Sequence, residues 1–178
     1  MYASQVEWAT EGTFESLNIT DDPTVRAFLR IWLEQERVHA ELLTRLLEAC
    51  GVEVEPLHRL SKHRRGARRG RFVNQLAHAA VGDDFFAVHM TWGAVNELST
   101  LRFYQQIRHR TAHPLLREIL RDVIGQEAMH YSFYRAAAIE RLTERPRAQR
   151  LTSWVLRHLW TPVGVGLRTR SDAHRLAH

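Results

Sequence analysis

Two Glu-x-x-His motifs, Glu36–His39 and Glu127–His130, interrupt otherwise apolar helical stripes of the sequence. Residues three apart lie on the same face of a helix, so each motif offers a metal ion two ligands from one rigid element. An ionised carboxylate is costly to bury unless something offsets its charge. The two motifs therefore predict a buried metal centre, in which the cations make burial of the carboxylates tolerable.

The sequence context of these two motifs indicates that they do not occur by chance. A third Glu-x-x-His, at 55–58, follows Gly51 and contains Pro56, so we interpret it as a chance match outside the helices. The first two occupy equivalent positions of an internal repeat. The alternative interpretation is that both pairs are polar residues that satisfy one another in a helical core.

Two metal ions about 3–4 Å apart need bridging carboxylates as well as the two Glu–His pairs. Glu97 lies on the apolar stripe of the preceding predicted helix, and the N-terminal helix offers Glu7, Glu11 and Glu15. Four carboxylates would balance two divalent cations. Carboxylate and imidazole ligands without thiolates favour Fe or Mn over structural Zn.

Four long helices are predicted to position these side chains, over 4–18, 23–50, 84–109 and 114–143. Asp22 and Pro23, Asp83 and Asp84, and Pro114 supply helix starts, and Gly51 supplies a stop. Apolar residues recur at steps of three and four, as expected of one buried face. The predicted buried stripes are Val25, Leu29, Trp32, Glu36, His39, Leu43, Leu46, Cys50; then Phe86, Met90, Gly93, Glu97, Thr100, Tyr104; and Leu116, Leu120, Val123, Glu127, His130, Tyr134, Ala137.

The chain repeats itself at a shift of 91 residues. Seven of the seventeen positions between Pro23 and His39 are identical to their counterparts between Pro114 and His130, including the Gln, Glu and His of each motif. We infer two related helical hairpins joined by the long crossover 51–83. Short loops within hairpins and one long connection between them are typical of one branch of the four-helix bundles.

Composition limits the class of protein. The 178 residues are 44% hydrophobic, enough for a domain with a sizeable core, and no apolar run reaches the length of a membrane span. The N-terminus lacks the pattern of a signal peptide. A single cysteine, Cys50, excludes an internal disulfide and favours a reducing compartment, so we expect a cytoplasmic protein with Cys50 as a small core residue.

Four ordered motifs resemble those of one family. They are TEGTFES at 10–16, WLEQERVH at 32–39, NELST at 96–100 and QEAMH at 126–130. In the ferritin-like di-iron carboxylate superfamily, they are most similar to the soluble acyl-acyl-carrier-protein desaturases, whose motifs are T-E-x-x-L-P-[ST], W-x-x-E-E-N-R-H, Q-E-R-A-T and D-E-K-R-H. The resemblance spans roughly residues 6–142 and implies an all-α, ferritin-like four-helix bundle over 1–145, followed by a short helix and polar tail over 146–178.

The resemblance also implies a function. It implies O2 activation at two Fe ions, or Mn, with oxidation of an acyl chain or similar apolar substrate and electrons from a ferredoxin-type donor. It places Thr100 at the oxygen-binding side of the metals. It selects Glu11 as the ligand from the first helix, ahead of Glu7. The implied ligand set is Glu11, Glu36, His39, Glu97, Glu127 and His130.

Three of the chain's departures from the desaturase pattern matter most for the site. The Arg that precedes each His of that family is Val38 and Met129 here, and the acidic residue before the fourth-helix Glu is Gln126. Such neighbours orient ligands and tune a metal site. The chain is also about half as long as the plant desaturases. The sequence therefore supports the metal site better than a particular reaction, and a ferritin-like or rubrerythrin-like ferroxidase without an organic substrate is the alternative. A degenerate, purely structural bundle is a third hypothesis.

A basic run, HRLSKHRRGARRGR at 58–71, holds seven Lys or Arg and no acid. Two interpretations remain open: a solvated loop, or a docking patch for an acidic carrier protein or a CoA phosphate. The run lacks interleaved aromatics, which weighs against nucleic acid. No membrane partner is expected, and a homodimer stays open. Beyond the bundle, we expect a short helix at 151–160 to pack through Trp154, Leu159 and Trp160.

Overall fold

The computed structural model describes residues 20–54 and 81–160. Within these ranges the regular secondary structure is helical and contains no strand. The predicted helix 4–18, Glu11 within it, and the basic run 58–71 lie outside the described residues. The described helices are α1 (Pro23–Ala49), α2 (Asp84–Arg110), α3 (Pro114–Leu142) and α4 (Pro146–Leu159).

The chain divides into two compact units: Met1–Gln75 with Gly164–His178, and Leu76–Val163. Helix α1 belongs to the first unit, and α2, α3 and α4 belong to the second. The predicted domain division at residue 145 stays a prediction.

Helix α1 begins and ends where its sequence predicts. The Asp22 carboxylate accepts hydrogen bonds from the backbone N–H groups of Thr24 and Val25 at 2.9 and 3.2 Å, and Pro23 opens the first turn. At the other end, Gly51 has φ +74°. The N–H of Gly51 bonds to the Glu48 carbonyl and that of Val52 to the Leu47 carbonyl, each at 2.9 Å, the two bonds of a Schellman motif.

The predicted buried stripe of α1 holds from its start to Leu43 and fails beyond it. Its buried residues include Val25, Leu29, Trp32, Glu36, His39 and Leu43. Cys50 is exposed, which corrects the prediction that it is a core residue. The reason is local: Cys50 is the C-cap, so the helical periodicity no longer applies there.

Helices α2 and α3 form a hairpin within the second unit. His113 precedes α3, and its Nδ1 accepts the backbone N–H of Leu116 at 3.2 Å, while Pro114 opens the helix. The helices approach closely at Gly93, where a Cβ atom would stand 2.5 Å from the ring of Tyr134. Glycine therefore permits this spacing because any side chain would overlap the tyrosine.

The start of α2 differs from the prediction. Asp83 occupies the N-cap position, but its side chain makes no capping hydrogen bond. Asp84 is buried instead and pairs with Arg145 at 2.7 Å and Arg147 at 3.4 Å. These ion pairs join the first turn of α2 to the start of α4. They link residues about sixty positions apart, so the local sequence pattern does not reveal them.

Helix α4 begins at Pro146, five residues before the predicted helix, because proline is well suited to a first helical position. Its buried residues are Ala148 and Thr152. Trp154 and Leu159 are more than half exposed, which corrects the expectation that both pack inward. No helix in the described ranges is long and apolar enough to cross a membrane.

Candidate metal centre

Three predicted ligands meet between α2 and α3. Glu97 comes from α2, and Glu127 and His130 come from α3; all three side chains are buried. The His130 Nδ1 lies 3.7 Å from a Glu97 carboxylate oxygen and 3.6 Å from a Glu127 carboxylate oxygen. Each residue offers a ligand atom within 4.8 Å of those of the others. The cluster is therefore compact enough for one cation to reach all three.

The register of each helix brings these side chains inward. On α3 the predicted stripe is confirmed from Leu120 through Val123, Glu127, His130, Tyr134 and Ala137, all of them buried. On α2 the prediction is confirmed in part. Met90, Glu97 and Tyr104 are buried as expected, but Ala87, Ala94 and Leu101 flank them where the sequence predicts Phe86, Gly93 and Thr100. The buried face of α2 is thus turned slightly, with Glu97 still at its centre.

The chemistry of the donor set fits a transition-metal ion. Two carboxylates and one imidazole supply hard oxygen and borderline nitrogen ligands, and this combination suits Fe or Mn. Glu127 is 0% exposed and His130 is 2% exposed, so solvent does not compensate the carboxylate charge. Burying two carboxylates this close together is unfavourable unless a cation or a proton offsets their repulsion. A metal ion held by this cluster would supply that compensation.

The first unit holds the second predicted pair. Glu36 and His39 on α1 are 2% and 1% exposed, and the His39 Nδ1 lies 3.7 Å from a Glu36 carboxylate oxygen. The equivalent atoms of Glu127 and His130 are separated by 3.6 Å. The internal repeat in the sequence therefore corresponds to a repeated arrangement of side chains.

Other positions named by the sequence patterns have different environments. Thr100 is half-buried on α2, one turn beyond Glu97. Val38 and Met129, which replace the arginines of the desaturase pattern, are 44% and 58% exposed. Gln126 is half-buried beside Glu127 in the sequence. Glu11 lies outside the described residues.

One contact near the cluster is missed by the sequence patterns. The indole N–H of Trp160 donates a hydrogen bond to the Asn96 side-chain oxygen at 3.0 Å. Asn96 immediately precedes Glu97, so this bond connects the end of α4 to the part of α2 that carries the ligand. Asn96 belongs to a quoted motif, but no local pattern indicates a partner 64 residues away.

Comparison with protein families matches residues 14–138 to the family described as Rubrerythrin. The match covers more than half of the chain and includes both Glu-x-x-His motifs and Glu97. Comparisons with curated proteins and with solved structures find no match.

Proposed function

The chain belongs to the rubrerythrin family, within the ferritin-like di-iron superfamily, and on this basis we propose that it is a di-iron oxidoreductase that reacts with O2. The observation that carries the proposal is the buried cluster of Glu97, Glu127 and His130. Family membership supports a ferritin-like helical bundle as the fold. It also favours iron over Mn at the site.

We propose that Glu36 and His39 complete the centre together with a carboxylate from the N-terminal segment. The support is the sequence repeat, the burial of both residues and their close similarity to Glu127 and His130. Glu11 is the proposed first-helix ligand because it occupies the glutamate position of the TEGTFES motif. Four carboxylates and two imidazoles would then hold two metal ions.

When bound, two ferrous ions supply the electrons that O2 chemistry requires, and the protein's own residues set the surroundings. Burial of Glu127 and His130 keeps water from competing for the ligand atoms. Thr100 lies one turn beyond Glu97. We propose that Thr100 is on the oxygen-binding side of the metals and that its hydroxyl orients a proton there. This role for Thr100 follows from the desaturase-like motif.

The finer proposal is oxidation of an acyl chain or similar apolar substrate. It is supported by the four desaturase-like motifs in their order, and it requires electrons from a separate donor. The second candidate is a ferroxidase without an organic substrate, which membership of the rubrerythrin family favours. The given sequence contains one cysteine, so it cannot provide the cysteine pairs of a rubredoxin-like iron site.

Metal content tests the proposal. Protein loaded anaerobically with Fe(II) should hold about two ions per chain. Glu127→Ala should lose most of this metal, because the substitution removes a buried ligand. Glu118→Ala is the matched control: Glu118 lies on the same helix, but it is exposed and pairs with Arg121. At a free Fe(II) concentration 100 times the Kd, metal should stabilise wild type by about 2.7 kcal/mol. Wild-type protein that binds neither Fe(II) nor Mn(II) would refute the proposal.

The proposed ligand from the N-terminal segment, Glu11, has its own test. Glu11→Ala should lower the iron content, whereas Glu7→Ala should leave it unchanged, because the motif assigns the ligand role to Glu11. Inductively coupled plasma mass spectrometry on both variants measures the difference. Full occupancy in Glu11→Ala together with loss in Glu7→Ala would transfer the role to Glu7.

Oxygen consumption separates the two candidate reactions. An oxidoreductase with its own substrate should retain iron after reaction and take up O2 repeatedly when a reductant is supplied. A ferroxidase should consume O2 in proportion to added Fe(II) and release or store ferric iron. Measuring O2 uptake and protein-bound iron in the same samples distinguishes these outcomes.

A further inference from the structure

Helix α4 presents a basic and aromatic face on the second unit, which the metal site does not use. This face, hereafter the α4 face, is a shallow groove of about 370 Å³ lined by Gln149, Arg150, Ser153, Trp154, Arg157 and His158. Trp154 is 54% exposed, and its ring contacts that of His158 at a centroid distance of 5.3 Å. Residues 145–160 contain no acidic side chain.

The charges of the α4 face are available to a partner. Arg145 and Arg147 at the start of the helix are paired with Asp84. Arg150 and Arg157 are exposed, and neither makes an ion pair with another described residue. Seven residues of helix separate them, or about 10 Å, with Trp154 between. The face therefore offers one cation on each side of a large apolar ring.

The shape of the groove favours a helix as its occupant. Gln149, Ser153 and Arg157 form one row of side chains at spacing i, i+4, and Arg150, Trp154 and His158 form the next. The groove between two such rows is the surface into which a ridge of side chains from another helix packs. Trp and Arg are also the residue types that most often supply binding energy at protein interfaces. Charge complementarity requires that the incoming helix be acidic.

The location of the α4 face connects it with the metal cluster. Trp160 follows α4 directly and donates its hydrogen bond to Asn96, the residue before Glu97. A protein bound to α4 would therefore contact the helix that ends next to Trp160. Trp160 is in turn hydrogen-bonded to Asn96, the neighbour of the proposed ligand Glu97. An anionic membrane is less well matched, because Leu151, Val155 and Leu156 are partly buried and Trp154 and Leu159 are the large apolar residues that this helix exposes.

We propose that the α4 face binds an acidic helix of the protein that delivers electrons to the centre. The electron-transfer part rests on the proposed function. Each reduced [2Fe–2S] donor would be oxidised by one electron, and two donors would reduce a pair of Fe(III) ions to Fe(II). Interfaces of this kind are small and strongly electrostatic. A shallow, basic face with two exposed arginines meets that description.

Binding is tested with a plant-type [2Fe–2S] ferredoxin, an acidic protein, and the full chain as purified. Arg150→Glu/Arg157→Glu should weaken binding about tenfold at low salt, because two attractive contacts become repulsive. Trp154→Ala should weaken it about fivefold or more through loss of the aromatic anchor. Arg102→Glu/Arg135→Glu is the matched control: it makes the same charge change at exposed positions of α2 and α3 and should retain most of the affinity. Wild-type binding should also fall as salt rises from 20 to 300 mM.

Reduction kinetics and metal content distinguish failure of this inference from failure of the proposed function. With iron bound, Arg150→Glu/Arg157→Glu should slow reduction by ferredoxin and leave reduction by dithionite unchanged. Equal ferredoxin affinity in wild type and this variant, or equal weakening by the control, would overturn the inference. So would tighter binding of a single-stranded oligonucleotide or of phosphatidylserine vesicles. A chain that takes up neither Fe(II) nor Mn(II) but still binds ferredoxin through α4 would overturn the proposed function while retaining the docking surface.

Discussion

At the scale of single residues, the cluster of Glu97, Glu127 and His130 shows how charge and burial together indicate a candidate site. Glu127 and His130 occupy positions that helical periodicity assigns to the core, although neither residue type is favoured there. Each is costly to bury by itself. Together with Glu97, they place ligand atoms within 4.8 Å of one another, which makes the three buried side chains a candidate coordination site. The sequence predicts this site because Glu and His stand at positions of the helical stripe that are otherwise apolar.

His89 gives a testable dependence of stability on pH. Burial lowers the pKa of His89 to about 4 from its usual 6.5, and the ring lies against Phe85 at a centroid distance of 4.3 Å. Between pH 4 and pH 6.5, His89 binds a proton in the unfolded chain but not in the folded chain. The contribution of neutral His89 to stability is therefore fully present above pH 6.5 and is lost as the pH falls toward 4. The free energy of unfolding of metal-free protein should fall by about 2 kcal/mol from this group between pH 7 and pH 5.

Urea unfolding of wild type and His89→Gln at both pH values measures this contribution by difference. The variant should lose less stability on acidification, because it has no imidazole to protonate. His109→Gln, which replaces an exposed histidine of the same helix, controls for the substitution itself. Equal acid sensitivity of wild type and His89→Gln would show that His89 is accessible to protons in the folded state.

At the scale of elements, the sequence predicts helix ends well where capping is local. Asp22 and Gly51 fix the two ends of α1 through hydrogen bonds between residues at most five positions apart, and Pro23 fixes the backbone angle of its first turn. The prediction fails where contacts are distant: Asp84 pairs with Arg145 rather than capping α2, and the rotation of the α2 face depends on its packing against α3. The predicted burial of Cys50 is wrong because the helical periodicity ends where the helix ends. Local pattern therefore determines which residues are helical, and tertiary packing determines which flanking positions are buried.

The close approach of α2 and α3 predicts opposite effects for two glycine substitutions. Gly93→Ala should destabilise metal-free protein by about 1–3 kcal/mol, because the new methyl group would overlap the Tyr134 ring and force the helices or the ring to move. Gly125→Ala should stabilise it by about 0.5–1 kcal/mol, because Gly125 is an exposed helical position with nothing within 4 Å of its added Cβ. Chemical denaturation of both variants tests this pair. Equal effects would mean that the two helices are not held at this spacing.

At the scale of the whole molecule, charge is unevenly distributed. The chain carries a net charge of +5 at neutral pH, and residues 58–71 contribute seven basic side chains. The α4 face is a basic surface in a different unit of the chain from that run. Clustered positive charge raises the rate of encounter with acidic proteins and makes it sensitive to salt. The basic run and the α4 face are therefore two candidate binding sites for acidic partners, and each can be altered without changing a proposed metal ligand.

The basic run 58–71 is proposed to attract an acidic acyl carrier protein, in keeping with the finer, acyl-oxidising function. Replacing Arg64, Arg65, Arg68 and Arg69 with Glu should weaken binding of that carrier at low salt and leave iron content unchanged. Carrier binding should weaken because electrostatic attraction extends about 10 Å at 0.1 M salt, so the arginines act on an approaching acidic protein. Iron content should not change because the substituted positions are distant in sequence from all proposed ligands. Surface plasmon resonance at 20 and 300 mM salt, with iron measured on the same samples, tests both expectations.

The variants of the basic run 58–71 and of the α4 face serve as controls for each other. Arg150→Glu/Arg157→Glu should retain carrier-protein binding if the run 58–71 is the carrier site, and the fourfold arginine variant should retain ferredoxin binding if α4 is the donor site. Loss of both partners in both variants would indicate general attraction to a basic protein rather than two sites. Unchanged carrier affinity in the fourfold variant, or no carrier binding at 20 mM salt, would leave 58–71 as a solvated connection. The ferroxidase alternative would then be favoured, since it needs no carrier-bound substrate.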